Sequence, residues 1–201
     1  MVKRVPNIST FLIILNANLK LIRRLIMLSE NITKSFRKKI SSIHNWLINL
    51  SPIKFVFCMT VSSYLILFPL ILVLVLIEYT GDFNEESIDL FNNEGVILVI
   101  LFTAVLAPLV ETAVYQMFPV RCLRKTNFLK ERPMIIILIS AVFFGFGHTY
   151  NIIRVIETTL IGIILAYSYH IYLEKNFYPF WIVTSIHGLR NLITTILFIV
   201  S

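Results

Sequence analysis

The apolar positions of this chain fall into long runs separated by short polar segments. A run of roughly 20 mostly apolar residues is long enough for a helix to cross the hydrocarbon core of a bilayer. Five such runs lie over about residues 54–78, 96–120, 134–152, 156–174 and 178–200. Lipid offers backbone groups no hydrogen-bond partner, and the strict alternation of a barrel strand is absent, so each run is predicted to be helical. The pattern predicts an all-α, polytopic transmembrane helix bundle of about five spans.

The first 52 residues have a different pattern, in which basic and apolar positions recur at helical spacing. Around residues 11–28, the polar residues Asn16, Lys20 and Arg23 share one face, and a second such pattern follows near residues 36–50. This pattern is typical of basic amphipathic helices that lie in the membrane interface. An alternative is that residues 10–28 form a short sixth span. We therefore expect two parts, a membrane-surface segment over 1–52 and a transmembrane helical domain over 53–201.

Composition and charge agree with a membrane protein. The chain is 57% hydrophobic and 14% charged, whereas a soluble domain has roughly 45–50% apolar and about 25% charged residues. The formal net charge is +7, and basic residues are concentrated toward the N-terminus. No aromatic-interleaved basic motif accompanies them, so the expected partner is a bilayer with an anionic cytoplasmic leaflet and not nucleic acid.

The charges of the predicted loops indicate an orientation. The N-terminal segment and the loop over 121–132 are basic, whereas the loop over 80–95 is acidic. Because basic loops remain on the cytoplasmic side, the N-terminus is predicted to be cytoplasmic. The expected location is the cell (plasma) membrane. The exception is Arg154, in a short loop predicted to be external, where Glu157 is a possible partner for it.

Four polar residues that could take part in catalysis or ligand binding interrupt three of the apolar runs. These are Glu111, His148, His187 and Asn191. An ionisable side chain inside a membrane span is expensive, so it indicates a functional site by default. His187 and Asn191 are four residues apart and share one helix face. With a rise of about 1.5 Å per residue, all four positions fall at overlapping depths near the midplane, so we expect one buried polar centre.

Two kinds of chemistry fit these residue types. A carboxylate and a histidine around one water form a general-base centre, and a buried His and Asn can donate to a developing oxyanion. This scheme requires no cofactor. Alternatively, Glu111, His148 and His187 are zinc ligands that leave a fourth position for water, which makes zinc a possible cofactor. A bundle that binds haem through two histidines, or that conducts ions, is a further alternative.

Residues beside these groups are expected to support them. Phe144 lies four positions before His148, and the nearby Gly145 and Gly147 leave room for another helix to approach. Thr112, Gln116 and Asn151 are assigned the same supporting role. They fit hydrogen bonds between helices equally well, as does Arg190.

Three motifs in this order resemble those of the CPBP family, the CAAX prenyl protease and bacteriocin-processing group, also called Abi. That family carries EExxxR, then FxxxH, then HxxxN or HxxxB, on successive helices. This chain has ETAVYQ at 111–116, FGFGH at 144–148 and HGLRN at 187–191. Thr112 replaces the second glutamate and Gln116 replaces the arginine. The resemblance covers a core over about residues 96–200.

The resemblance implies an intramembrane endopeptidase that hydrolyses a peptide bond of a membrane-tethered peptide or protein. In this interpretation Glu111 activates water with help from His148. His187 and Asn191 bind the oxyanion, or His187 joins His148 around a metal. The alternative is a non-catalytic membrane partner or immunity protein that retains the family fold. The changes at Thr112 and Gln116 make that alternative credible, although the retained Glu111 is compatible with water activation.

Overall fold

The computed structural model describes residues 8–76, 95–149 and 151–200, and within these ranges the regular structure is helical, with no strand. The prediction of an all-α polytopic bundle is confirmed. The helices are α1 (Ile8–Ile48), α2 (Pro52–Leu65), α3 (Phe68–Leu76), α4 (Val96–Leu123), α5 (Pro133–Phe146), α6 (Ile152–Glu174) and α7 (Pro179–Val200).

Four helical stretches in the described ranges are long and apolar enough to cross a membrane. They are Pro52–Leu76, which joins α2 and α3, and the helices α4, α6 and α7. The predicted span over 134–152 is wrong in length, because α5 has 14 residues. Its rise is about 21 Å, against a hydrocarbon thickness of about 30 Å. Glycine is a poor helix former, and α5 ends beside Gly147, so His148 lies beyond the helix.

The helix starts follow local sequence signals. Pro52, Pro133 and Pro179 each occupy the first turn of a helix, where the missing N–H of proline has no intrahelical partner to lose. α6 instead starts after Asn151, whose side-chain oxygen accepts a hydrogen bond of 2.8 Å from the Arg154 N–H. This contact satisfies one of the free donors of the first turn.

The N-terminal region forms one helix where two amphipathic segments were predicted. α1 has 41 residues, and its sequence contains no Gly or Pro that would interrupt it. It is not among the four membrane-crossing stretches found in the described ranges, so the alternative sixth span over 10–28 has no counterpart there. α1 belongs to a first compact unit, Met1–Leu50, and the remaining helices form a second, Ser51–Ser201. That α1 lies in the membrane interface stays a prediction.

Small residues allow α5 and α6 to pack closely. A Cβ atom on Gly162 would lie 3.0 Å from the Ala141 Cα, and one on Gly145 would lie 2.9 Å from the Val155 carbonyl oxygen. Close backbone approach of this kind is typical of helix packing in membranes. It confirms the reason predicted for Gly145. The α5–α6 pair is therefore closely packed within the second unit.

Candidate active site

The helix that carries Glu111 is locally distorted on both sides of that residue. In α4, the π-helical segments Phe102–Leu106 and Thr112–Met117 flank the α-helical turn Ala107–Glu111. Short π-helical segments often occur at functional sites. Sequence analysis missed them, although Pro108 and Pro119 were available signals, since proline removes a backbone donor.

Neighbouring helices supply the hydrogen bonds that these prolines cannot donate. The Ala107 N–H bonds to the Phe102 carbonyl five residues back, and in that register the Thr103 carbonyl would need an N–H from residue 108. Pro108 has none. The Asn191 Nδ2 of α7 instead donates to the Thr103 carbonyl oxygen, at 2.9 Å.

A similar contact joins α5 to the other end of this region. The Ser140 hydroxyl donates to the Tyr115 carbonyl oxygen at 2.5 Å. Pro119 lies four residues after Tyr115 and cannot donate to it in the α-helical register. Gly188 of α7 also approaches α4 closely, because a Cβ there would lie 2.5 Å from the Ala104 carbonyl oxygen. Glu111 is therefore held between two helices tied to its own.

The Glu111 carboxylate contacts two histidines that are distant in sequence. Its Oε2 atom lies 3.5 Å from the His187 Nε2 and 3.9 Å from the His148 Nε2. The His187 side chain is 4% exposed, whereas those of Glu111 and His148 are each 23% exposed. The structure thus brings together residues from α4, α7 and the turn after α5, with a carboxylate that remains accessible. Their catalytic roles stay a prediction.

The contacts of His148 fix its orientation. Its Nδ1 atom lies 2.9 Å from the Phe144 carbonyl oxygen. A carbonyl only accepts, so Nδ1 carries the donated proton and the Nε2 of the neutral ring has a free lone pair. The Phe144 ring packs edge-on against the rings of both His148 and His187, with centroids 4.8 and 5.6 Å apart. Phe144 therefore holds both imidazoles beside Glu111.

These groups line one cavity of about 230 Å³. Glu111, His148, His187, Asn191 and Phe144 all contribute to its wall. Since a water molecule occupies about 30 Å³ in the liquid, the cavity has room for several waters or for part of a peptide. Asn191 uses one N–H of its amide on Thr103 and has a second one available. The geometry brings a carboxylate, two imidazoles and an amide to the wall of one partly open cavity.

Three residues assigned a supporting role do not line this cavity. Asn151 caps α6. Thr112 and Gln116 are fully buried, and their side-chain polar atoms have no hydrogen-bond partner among the described residues. These residues follow Glu111 in sequence, but their side chains lie in the helix packing and not on the cavity wall.

Sequence reasoning missed a second charged group on the same wall, formed by Arg154, Glu157 and Arg190. The Arg154 Nη1 lies 2.9 Å from the Glu157 Oε2, which confirms the pairing expected for these residues. The Arg190 Nη2 lies 3.7 Å from the Glu157 Oε1. Their place in the cavity depends on α6 packing beside α7, for which sequence spacing gives no signal.

Metal binding was the second chemistry expected of Glu111, His148 and His187. Within the described ranges, no group of three or more His, Cys, Asp and Glu side chains is arranged to hold a metal ion. Both histidines instead approach the same oxygen of Glu111. Zinc binding stays a prediction from the residue types.

Comparison with curated proteins and with solved structures gives no significant match. A comparison with protein families does: the family described as type II CAAX prenyl endopeptidase Rce1-like matches residues 93–193, half of the chain. The matched region contains Glu111, His148, His187 and Asn191, and it confirms the resemblance to CAAX proteases. With its membrane-spanning helices, this chain is an integral membrane protein that belongs to the Rce1-like family.

Proposed function

We propose that the chain is an intramembrane endopeptidase that hydrolyses a peptide bond of a membrane-tethered peptide or protein. Glu111 activates the attacking water. The observation that carries this proposal is the Glu111 carboxylate, 3.5 and 3.9 Å from two imidazoles on the wall of one cavity. The family supports a protease, and the charge pattern supports a cytoplasmic N-terminus. A plasma-membrane location is part of the same proposal.

In the proposed reaction, Glu111 takes a proton from water as the water oxygen bonds to the peptide carbonyl carbon. The free lone pair on the His148 Nε2 accepts a hydrogen bond from the second O–H of the water, which stays on the oxygen, and so orients the attack. The carbonyl π electrons move to oxygen, which becomes an oxyanion. Glu111 then returns its proton to the peptide nitrogen as the C–N bond breaks. The products are a carboxylic acid and an amine.

The oxyanion is stabilised by donors from α7. His187 presents its Nε2 toward Glu111, and Asn191 has one amide N–H beyond the one bonded to Thr103. Donors already held in place contribute strongly to acyl transfer, because they need no reorganisation as charge develops. His187 is fixed by burial and by the Phe144 ring, and Asn191 by its bond to α4.

The test compares wild type, Glu111→Gln and Glu174→Gln in detergent on a library of membrane-tethered peptides, read by mass spectrometry. Glu111→Gln keeps the shape of the side chain and removes the base. Glu174→Gln makes the same change outside the cavity. Cleavage by wild type and Glu174→Gln alone supports the proposal. Equal cleavage by Glu111→Gln would show that Glu111 is not the base.

A non-catalytic peptide-binding protein is the second candidate. It is favoured by Thr112 and Gln116, which replace the second glutamate and the arginine of the family's EExxxR motif. Both side chains are buried without hydrogen-bond partners among the described residues. For such a protein, wild type and Glu111→Gln would capture the same peptides and cleave none of them. Capture without cleavage therefore separates the two candidates.

The role of zinc is tested on any peptide that the wild type cleaves. Activity that survives prolonged dialysis against a strong zinc chelator supports hydrolysis by Glu111 and water alone. Activity that disappears and returns with added zinc supports the zinc alternative.

A further inference from the structure

Arg154, Glu157 and Arg190 form a second charged group in the cavity, which we call the arginine cluster. Glu157 lies between the two guanidinium groups, at 2.9 Å from the Arg154 Nη1 and 3.7 Å from the Arg190 Nη2. The cluster has two positive charges and one negative charge. One positive charge is therefore left without a partner in the cluster, on the wall that also carries Glu111.

Arg190 is the less satisfied of the two arginines. Its side chain is 11% exposed. A guanidinium has five N–H donors, yet the 3.7 Å distance to Glu157 exceeds that of a hydrogen bond. Its Nε has no hydrogen-bond partner among the described residues, and its Cζ lies 5.2 Å from the centre of the Tyr64 ring. A buried cation with so few partners is destabilising unless an anion or water completes its contacts.

Arg190 lies close to the proposed reacting groups. It follows His187 by three residues on α7, a rise of about 4.5 Å, and it directly precedes Asn191. Glu111, His187, Asn191 and Arg190 all line the same cavity. An anion bound at Arg190 and a peptide bond placed beside Glu111 would therefore occupy the same cavity.

We propose that the arginine cluster is a subsite for a carboxylate of the peptide substrate and that Arg190 is its principal contact. The inference rests on the proposed function and adds to it the residues that would hold a carboxylate of the substrate. A planar guanidinium matches a carboxylate with two parallel donors. The single unbalanced positive charge of the cluster matches the single negative charge of one carboxylate.

Binding is tested with three probes and without turnover. N-dodecanoyl-leucine carries a terminal carboxylate, N-dodecanoyl-leucinamide is its neutral match, and the N-dodecanoyl derivative of aspartic acid α-amide carries a side-chain carboxylate. The full-length Glu111→Gln protein in detergent is titrated with each probe, and the dissociation constant is taken from the rise in melting temperature. The better of the two carboxylate probes identifies a terminal or a side-chain source.

Variants of the cluster are then compared in the same Glu111→Gln background. Arg190→Gln should weaken binding of the better carboxylate probe by roughly tenfold or more, through loss of a charge-assisted contact. Glu157→Gln should strengthen it, because the carboxylate that competes for Arg190 is gone. Arg132→Gln, an exposed change outside the cavity, should leave it unchanged. The amide probe should respond to none of them.

If the Arg190–Glu157 pair had a purely structural role, both substitutions would weaken binding. Opposite effects of Arg190→Gln and Glu157→Gln would therefore exclude that explanation. Equal affinity for the carboxylate and amide probes would overturn the subsite, as would unchanged affinity in Arg190→Gln. Because hydrolysis is measured separately with Glu111 intact, failure of the subsite and failure of the proposed peptidase are distinguishable.

Discussion

The described residues include two groups in which histidine contacts glutamate, one on α6 and one formed by other parts of the chain beside α6. Near the C-terminus of α6, the His170 Nε2 lies 3.3 Å from the Glu174 Oε1, one helical turn away. Beside its N-terminal half, Glu111 meets His187 at 3.5 Å and His148 at 3.9 Å. The tighter contact is produced by helical spacing alone. The looser one requires three separate parts of the chain to pack together.

The difference shows that a contact between an imidazole and a carboxylate does not by itself make a reactive centre. His170 and Glu174 do not line the 230 Å³ cavity, and His170 also has the Arg124 guanidinium at 3.4 Å. Glu111, by contrast, lines a cavity that also has two imidazoles and the Asn191 amide on its wall. Space for a substrate and convergent donors distinguish the two groups, and the following changes test that distinction.

The largest difference should appear when the two glutamates, Glu111 and Glu174, are each replaced by glutamine. Glu111→Gln should lower the cleavage rate by about 10²–10⁴-fold, the contribution of a positioned general base. Glu174→Gln should leave the rate within about twofold, because exposed substitutions away from a site have small effects. The measurement is kcat/KM on the best peptide from the library. Comparable losses in both variants would contradict the comparison.

The histidines provide the next test. His187→Ala should lower kcat by about 10²–10³-fold, as loss of an oxyanion donor does. His170→Ala should act mainly on stability, because its ring is buried outside the cavity. Melting temperatures measured beside kcat separate the two effects. A His170→Ala protein that folds and has lost its activity would show that the second group also takes part in the chemistry.

The close packing of α7 on α4 can be tested at glycine. Gly188→Ala places a Cβ 2.5 Å from the Ala104 carbonyl oxygen, and such overpacking should lower the free energy of unfolding by about 1–3 kcal/mol. The matched control is Gly95→Ala, where a Cβ meets nothing within 4 Å. Thermal unfolding in detergent should show a lower midpoint for Gly188→Ala only. An equal midpoint in both would argue against close contact at Gly188.

The smallest effect concerns two threonines of α4. The Thr103 hydroxyl donates to the Val99 carbonyl at 2.8 Å and lies 3.1 Å from the Thr195 hydroxyl. The buried Thr112 hydroxyl has no partner among the described residues. Thr103→Val should therefore destabilise the protein by about 1 kcal/mol, whereas Thr112→Val should be neutral or slightly stabilising. A clear loss of stability in Thr112→Val would reveal a partner for that hydroxyl.

The sequence by itself determined the fold class and the chemistry-bearing residues. Long apolar runs specify membrane-spanning helices, because lipid allows the backbone few other structures. The rarity of ionisable residues in such runs makes Glu111, His148 and His187 conspicuous. Their order and spacing also indicated the family, since those motifs are read directly from the chain.

Only the tertiary structure decided which polar residues face the cavity. Helical spacing relates residues on one helix, but the rotation of each helix and its packing against neighbours set the contacts between helices. Thr112 and Gln116 follow Glu111 on α4 but are buried in the packing and away from the cavity. The packing of α6 beside α7 brought Glu157 to Arg190. The centre around Glu111 likewise depends on hydrogen bonds between helices that replace those the prolines of α4 cannot form.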